Sequence, residues 1–392
     1  MMEIRSFIFS VLIFKVENLL LVSENDPGFN LFFTTNLEEM LDVPIYFEKP
    51  LPAWLHGTLI RNGFGRYELE HRNFTHAFDA FGKLSSWKFY GNGSASFSTK
   101  FLYSNFYMDS VNKNDIAPYL MFESVTPPFN EFQKMEALAR GIDNMNVNIY
   151  RFFNQKDNTY EYVALNDFWK IYKVNPYGLD TVSPFTASLP RKVNSGSLAF
   201  LSFLSSAHPV PEFGTNNHYT FVSSVSLIPG FKSRISLIRI KSMKEREEIV
   251  SWPVKRVPYM HSFSATENYV IIFAAPFYVN VVNMMKYAAP IKGLDWIDNE
   301  QTTIYVINTK TRKITTLKTD NVFTMHHINA FEKGNEIVVD ISSYPNPNFV
   351  INLEISILRD HIKRNHFDAH AQLRRYIINV SKSSVSFEPI MP

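Results

Sequence analysis

The sequence predicts an all-β protein, and among all-β architectures it favours a β-propeller. From about residue 84 onward, short runs of β-branched and aromatic residues recur between turn residues, which is typical of strands. Helical patterns are few. A chain of this kind avoids open sheet edges by closing as a barrel or a propeller. No exact repeat is visible, so periodicity does not by itself decide between the two.

The strand candidates follow one another along the chain. They are "SSWKFYGNGSASFST", "VNIYRFF", "NHYTFVSSVSL", "RISLIRIK", "NYVIIFAA", "TTIYVIN", "EIVVDIS" and "RRYIINV". Two hairpins are predicted among them. "WKFYGNGSASFS" has Asn92-Gly93 at its centre, and this dipeptide tolerates the positive φ angles of tight turns. "TIYVINTKTRKITTLK" is a second hairpin with a polar turn.

Two segments have helical periodicity, residues 130–142 and 357–373, and both are amphipathic enough to lie on the surface. In the second, His366 and His370 are four residues apart and could hold a metal on one helix face. A solvated helix face is the favoured interpretation of that pair.

Composition excludes several classes of site. The chain has no cysteine, so disulfides, thiolate zinc sites, iron–sulfur clusters and cysteine nucleophiles are excluded. A tight metal site must therefore use imidazole and carboxylate ligands. With 39 Lys and Arg against 37 Asp and Glu and no long run of one sign, the composition gives no case for nucleic-acid binding.

The N-terminal segment, residues 1–30, is predicted to be an extension of unclear role. Its apolar run is interrupted by Lys15, Glu17 and Asn18, and is too broken to span a bilayer. It lacks a clean cleavage site for a signal peptide, so a cytoplasmic location is favoured over secretion.

Histidines in three similar contexts are the strongest candidate site. His208, His261 and the pair His326–His327 each lie just before or between strand candidates, among small or apolar residues. The spacings of 53 and 65 residues predict one ligand from each successive unit, all pointing to a common axis. The alternative is that each is a buried histidine bonded to a backbone carbonyl, and spacing alone leaves both interpretations open. His71, His76 and His218 stand near polar turns and are predicted to be surface or structural residues.

Several motifs resemble, in the correct order, the signature segments of the carotenoid cleavage oxygenases, and the animal branch is nearest. They are "PLPAWLHGTLIRNGFGRYE", "FTHAFDAFGKLSSWKFYGNG", "KFLYSNFY", "AHP", "YMHSFSATENYVIIF" and "MHHINAFE". The resemblance implies a seven-bladed β-propeller over residues 31–392, with Fe(II) on its axis under an apolar substrate tunnel. It also implies a reaction in which dioxygen cleaves a conjugated double bond of a carotenoid.

The resemblance also assigns residues. The implied iron ligands are His208, His261 and His326, and strand alternation then turns His327 away from the axis. Asp167 occupies a position where the family has glutamate, and it is expected to accept the other imidazole N–H of a ligand.

The apolar segment 275–296 is too interrupted to span a bilayer but suits insertion into one leaflet. In the family this region docks the protein peripherally on membrane, and an ordinary buried segment is the alternative. The expected membrane-facing residues are Phe277, Tyr278, Val281, Val282, Met284, Met285 and Trp296.

The family's fourth histidine has no counterpart before the chain stops at "SFEPIMP", so the propeller is expected to lack its last blades. Phe64 and Ala80 also replace a proline and a glycine that are usual in the family. Three functions follow as hypotheses: a carotenoid dioxygenase, a truncated relative that binds carotenoid or retinoid without cleaving it, and a retinyl-ester isomerohydrolase.

Overall fold

The computed structural model describes residues 28–186, 201–226, 232–366 and 370–390. Most of the secondary structure in these ranges is β-strand, as the sequence predicts. The strands are, in chain order, Met40–Ile45 (β1), His56–Arg66 (β2), Asn73–Phe74 (β3), Phe81–Tyr90 (β4), Ala95–Phe101 (β5), Val125–Thr126 (β6), Asn148–Asn154 (β7), Thr159–Leu165 (β8), Lys170–Val174 (β9), Thr181–Thr186 (β10), Leu201–Leu204 (β11), Val210–Pro211 (β12), His218–Val225 (β13), Ser233–Ile240 (β14), Arg246–Val254 (β15), Ser264–Ala265 (β16), Tyr269–Ala274 (β17), Phe277–Val279 (β18), Leu294–Trp296 (β19), Thr302–Asn308 (β20), Ile314–Thr319 (β21), Phe323–Lys333 (β22), Glu336–Tyr344 (β23), Gln372–Asn379 (β24) and Ser384–Pro389 (β25).

Most of these strands form antiparallel sheets of four strands that follow one another along the chain. Within the described ranges there are five such sheets, with the orders β2-β4-β5-β1, β7-β8-β9-β10, β11-β13-β14-β15, β16-β17-β20-β21 and β22-β23-β24-β25. We call them sheets 1 to 5. The short strand β12 pairs with β13 in sheet 3. A meander of four antiparallel strands is the unit from which propeller blades are built.

Both predicted hairpins are present. Strands β4 and β5 pair from Phe89 and Ala95 outward, and the turn between them contains Gly91 and Gly93 at φ angles of 72° and 88°. Glycine adopts this left-handed conformation without the strain that a Cβ atom causes. The second hairpin joins β20 to β21.

Neighbouring sheets contact one another through strands near one end of each sheet. Strand β2 lies against β7, β12 against β16, and β16 against β22. Apolar side chains fill the space between facing sheets; between sheets 4 and 5 they include Ile271, Phe273, Val339 and Tyr376, all buried. Successive four-stranded sheets that pack against each other through such cores match the way in which neighbouring propeller blades pack.

Three sequence-based expectations about the complete domain stay predictions. The total of seven blades, the absence of the last blades and the domain range 31–392 are not decided by these five sheets. Residues 1–27 of the predicted N-terminal extension lie outside the described residues.

The helices are short and lie between or beside the sheets. In the described ranges the α-helices are Asn105–Lys113 (α1), Glu131–Arg140 (α2), Val281–Tyr287 (α3), Asn348–Ile351 (α4), Ile355–Leu358 (α5) and His361–Asn365 (α6). Short 3₁₀ helices are found at Phe29–Phe33, Ala77–Asp79 and Pro290–Gly293. Helix α2 confirms the first helical prediction, and a capping box between Asn130 and Gln133 fixes where it begins. No helix among the described residues is long and apolar enough to cross a membrane.

The prediction of a single helix over 357–373 is wrong. The Asp360 side chain accepts hydrogen bonds from the backbone N–H groups of Ile362 and Lys363, so it starts a new helix after α5. That helix ends at Asn365, and by Gln372 the chain has entered β24, which pairs with β23. Tertiary pairing with sheet 5 therefore overrides the local helical pattern. His366 is exposed beyond the end of α6, and residues 367–369 lie outside the described residues.

Candidate metal centre

Three histidines meet where β12 of sheet 3, β16 of sheet 4 and β22 of sheet 5 come together. His208 lies between β11 and β12, His261 precedes β16, and His326 lies in β22. Their ring centroids are 4.6 Å apart for His208 and His261, 5.3 Å for His208 and His326, and 5.1 Å for His261 and His326. One ligand atom from each ring lies within 4.8 Å of the others. The residues that the sequence spacing predicted to converge do converge.

Asp167 fixes the orientation of one ring. Its Oδ2 atom lies 2.7 Å from Nδ1 of His261 and also accepts a hydrogen bond of 2.9 Å from the Tyr259 hydroxyl. Its Oδ1 atom accepts the backbone N–H of Ala207 at 3.1 Å. Burial acts to raise the pKa of Asp167. Electrostatic attraction and a hydrogen bond from His261, together with the hydrogen bond from the Ala207 N–H, hold this pKa below its usual value. An ionised carboxylate at Nδ1 keeps the proton there, so Nε2 of His261 carries a lone pair.

The other rings are also suited to act as neutral donors. Burial, with the neighbouring His261, lowers the pKa of His208 to about 4, so this imidazole is uncharged at neutral pH. His326 is the exposed member of the group, and His261 is buried. The three residues thus form a group of imidazoles with one side open to solvent.

The closest pair of imidazole nitrogens has a separation that suits a divalent first-row metal. The Nε2 atoms of His208 and His261 are 2.9 Å apart. Bonds from imidazole nitrogen to zinc are about 2.0–2.1 Å long, so two ligands at a right angle around an ion of that size lie about 3 Å apart. Imidazole donors suit iron, copper, nickel and zinc. The donor set and the spacing of this one pair are therefore compatible with such an ion.

His327 points the other way, as strand alternation predicts. Its Nδ1 atom lies 2.8 Å from the hydroxyl oxygen of Ser264, and its ring packs edge-on against Phe273 at 5.2 Å. The pairing of β22 with β23 is irregular on both sides of His327. Such bulges re-aim side chains near functional sites. Of the adjacent pair, only His326 joins the group.

The remaining predicted structural histidines stay apart from this group. His76 is fully buried; its Nε2 donates to the carbonyl of Val350 at 2.8 Å, and its Nδ1 accepts the N–H of Phe78 at 3.1 Å. The ring of His218 packs edge-on against Tyr150 and Phe152. Among the described residues, the histidine group that could hold a metal contains neither residue.

Three residues beside the histidines were missed by sequence reasoning. Ser206, Tyr259 and Ser262 all bond to the histidine segments or to Asp167. Their positions within two residues of His208 or His261 were the available signal. Serine and tyrosine are common, so that signal has little specificity without the geometry.

The expected membrane-facing patch needs correction. Phe277, Val281 and Met284 are buried, with exposures of 1%, 9% and 8%. Val281 and Met284 lie on the inward face of α3 and join the core of sheets 3 and 4, while Phe277 packs beside Phe323. Those three residues were wrongly assigned to a membrane surface, because the sequence does not reveal which helix face is covered.

The other four residues of the patch are more accessible. Val282 and Met285 on the outward face of α3 are 76% and 45% exposed. Tyr278 and Trp296 are half-buried and use their polar atoms within the protein, the hydroxyl bonding to Glu300 at 3.0 Å and the indole N–H to Asp298 at 2.7 Å. Val282 and Met285 therefore remain as the exposed apolar part of the expected membrane-facing patch.

The protein combines successive four-stranded sheets with a group of three histidines between them. The sequence motifs predicted this combination. The family model described as "RPE65: Retinal pigment epithelial membrane protein" matches residues 33–390, so this chain belongs to the carotenoid cleavage oxygenase family that it defines.

Individual relatives agree with that assignment. The chain is 26% identical to human beta,beta-carotene 15,15'-dioxygenase, over 89% of this chain and 66% of the human protein. It is 26% identical to the chicken dioxygenase, over 80% of this chain and 61% of that protein. It is 27% identical to carotenoid isomerooxygenase of Galleria mellonella, over 75% and 57% of the two chains. The matched part is thus about three fifths to two thirds of each relative.

Solved structures show the same fold. Cobalt-substituted Synechocystis ACO, an apocarotenoid oxygenase, superposes with a TM-score of 0.72 at 20% identity, covering 93% of this chain and 73% of that chain. An ACO/RPE65 chimera gives a TM-score of 0.67 at 19% identity, covering 91% and 71%.

Proposed function

We propose that this chain binds ferrous iron on His208, His261 and His326 and acts in the oxidative cleavage of a carotenoid. The substrate class is β-carotene or an apocarotenoid, and the products are aldehydes such as retinal. The observation that carries the proposal is the group of three imidazoles with Asp167 hydrogen-bonded behind one of them. The names of the carotene dioxygenase and carotenoid isomerooxygenase relatives support the substrate class.

When bound, ferrous iron supplies the redox chemistry with which dioxygen is consumed, one carbon–carbon double bond is broken and each carbon receives one oxygen atom. Both oxygen atoms end in the two aldehydes, and the polyene supplies the electrons. The overall reaction therefore needs no further reductant.

The chain's own residues hold charge and protons in place. An uncharged His208 leaves the positive charge of a bound ion uncompensated, which favours binding of an electron-rich partner. Asp167 holds the proton on Nδ1 of His261, and the Tyr259 hydroxyl and the Ala207 N–H hold the carboxylate in turn. These connected hydrogen bonds orient the His261 ring before any ligand binds.

We also propose that helices α2 and α3 bring the protein to a membrane surface, where carotenoids dissolve. Phe132 and Met135 on α2 are 78% and 69% exposed, and they are three residues apart on one helix face, as are Val282 and Met285 on α3. The two helices are neighbours, because a small cavity is lined by Lys134 of α2 and by Tyr287 at the end of α3. Apolar pairs flanked by lysines suit one leaflet of a membrane.

The experiment that tests the proposal uses the 392-residue chain loaded with Fe(II) under anaerobic conditions. The protein is given β-carotene or an apocarotenal in detergent micelles, and oxygen uptake and retinal formation are recorded. His261→Ala is expected to lose iron and all turnover. His56→Ala is the matched control, because His56 is exposed at the start of β2 and distant in sequence from the site.

Other outcomes assign other functions. Conversion of a retinyl ester to retinol without oxygen uptake identifies an isomerohydrolase. Stoichiometric carotenoid binding without product identifies a non-catalytic binding protein. Equal activity of His261→Ala and the unaltered chain contradicts the proposed metal centre.

A further inference from the structure

Two buried serines link the three histidine-bearing segments. Ser206 and Ser262 are 5% and 7% exposed, and each lies within two residues of a histidine of the candidate metal centre. Each hydroxyl bonds to the backbone of the next sheet's histidine segment. The links join sheet 3 to sheet 4 and sheet 4 to sheet 5.

Ser206 uses its hydroxyl group twice. The oxygen accepts the backbone N–H of His208 at 3.0 Å, and the O–H donates to the backbone carbonyl of His261 at 2.5 Å. The main chains of His208 and His261 are therefore tied to one oxygen atom. The Nε2 atoms of these two rings are also the pair that lie 2.9 Å apart.

Ser262 repeats the arrangement at the next junction. Its hydroxyl oxygen accepts the backbone N–H of His327 at 2.8 Å. Ser262 follows His261 directly, and His327 follows His326 directly, so this bond joins the two segments one residue from each imidazole. It lies within the irregular part of the β22–β23 pairing, where His326 has no paired residue on β23.

We propose that Ser206 and Ser262 are positioning residues that set the spacing of the three imidazoles, an inference that rests on the metal centre proposed above. A metal needs its donors at defined separations, and these donors come from sequence-distant segments on three separate sheets. Apolar packing between sheets is not directional, whereas a hydrogen bond fixes both distance and direction. The two hydroxyl groups supply that directional restraint beside the histidines.

The test is a Co(II) titration, because cobalt reports both affinity and ligand geometry in its visible absorption bands. Ser206→Ala and Ser262→Ala are each expected to weaken Co(II) binding by about tenfold and to change the shape of these bands. Ser223→Ala is the matched control. Ser223 is a fully buried serine of β13 whose hydroxyl has no hydrogen-bond partner among the described residues, so its removal is expected to leave affinity and bands unchanged.

Threonine and valine variants separate positioning from folding. Ser262→Thr keeps the hydroxyl, and Ser262→Val has the shape of threonine without the hydroxyl. The threonine variant is therefore expected to bind Co(II) about tenfold more tightly than the valine variant. The same pair at Ser206 decides the question there if an alanine variant does not fold. Thermal unfolding of the metal-free proteins is measured alongside.

The outcomes distinguish this inference from the metal centre itself. If the unaltered chain binds no Co(II), the metal centre is wrong and the inference falls with it. If the unaltered chain binds Co(II) and the folded alanine variants match it in affinity and in spectrum, the serines are merely structural and the inference alone is overturned.

Discussion

The Nδ1 atom of His261 lies 2.7 Å from Oδ2 of Asp167, and both groups are buried. Sequence reasoning expected a carboxylate here but found aspartate where the family has glutamate. The shorter side chain still reaches the ring, and Tyr259 and Ala207 supply the further donors that hold it. The pair defines which nitrogen of His261 carries the proton.

Asp167→Asn is expected to weaken Co(II) binding by about 10- to 100-fold. The amide oxygen would stay with the N–H of Ala207, so the amide NH₂ would face Nδ1 of His261 and force its proton onto Nε2. That nitrogen would then have no lone pair for a metal. Tyr259→Phe, which removes one bond to Asp167 and leaves the carboxylate, is the control with a smaller loss. Unchanged affinity in Asp167→Asn would show that the tautomer is not important.

His261→Ala and His327→Ala are expected to separate metal binding from stability. His261→Ala should abolish metal binding, measured by the iron content after loading and desalting. His327→Ala should retain most of it, because that ring faces Ser264 and Phe273, but should lower the free energy of unfolding by about 2 kcal/mol. Equal loss of iron in the two variants contradicts the assignment of the pair.

His76 is expected to make stability depend on pH far from the metal centre. Burial lowers its pKa from 6.5 to about 4, so the unfolded chain binds a proton in the range where the folded chain does not. Its contribution is fully present above pH 6.5 and is lost as the pH falls toward 4. Between pH 7 and pH 5 the loss is about 2 kcal/mol.

The matched variant for that prediction is His76→Asn, which can still accept the N–H of Phe78 but does not titrate. Urea unfolding at pH 7 and pH 5 measures both proteins. The variant should be less stable at pH 7 and lose less stability on acidification. Parallel losses in the two proteins would mean that the pKa of His76 is the same in the folded and unfolded states.

The double change Val282→Ser and Met285→Ser is expected to weaken binding to phosphatidylcholine vesicles by about tenfold, since it removes apolar area from the outward face of α3. Co-flotation with the vesicles measures it. Tyr177→Ser is the control, because Tyr177 is 83% exposed and lies on a turn outside α2 and α3. A similar loss in the control, or none in the double variant, counts against docking through α3.

Much of the site could be predicted from sequence because it depends on local patterns. Strand alternation turned His326 and His327 to opposite sides, and the order of short motifs selected His208, His261 and Asp167. The hairpin at Gly91–Gly93 and the start of α2 also follow from residues adjacent in the chain. The strand alternation, the hairpin turn and the helix start depend on contacts within a few residues, which a linear pattern records, whereas the resemblance to the family selected His208, His261 and Asp167.

Only the tertiary structure decided the rest, because it depends on residues far apart in sequence. The burial of Phe277, Val281 and Met284 is set by sheets that pack over them, and the end of the helical pattern after Asn365 is set by pairing of β24 with β23. The bonds of Ser206 to His261 and of Ser262 to His327 span 55 and 65 residues. The sequence therefore determined which residues are brought together at the candidate metal centre, and the packing of the sheets decided the distances between them.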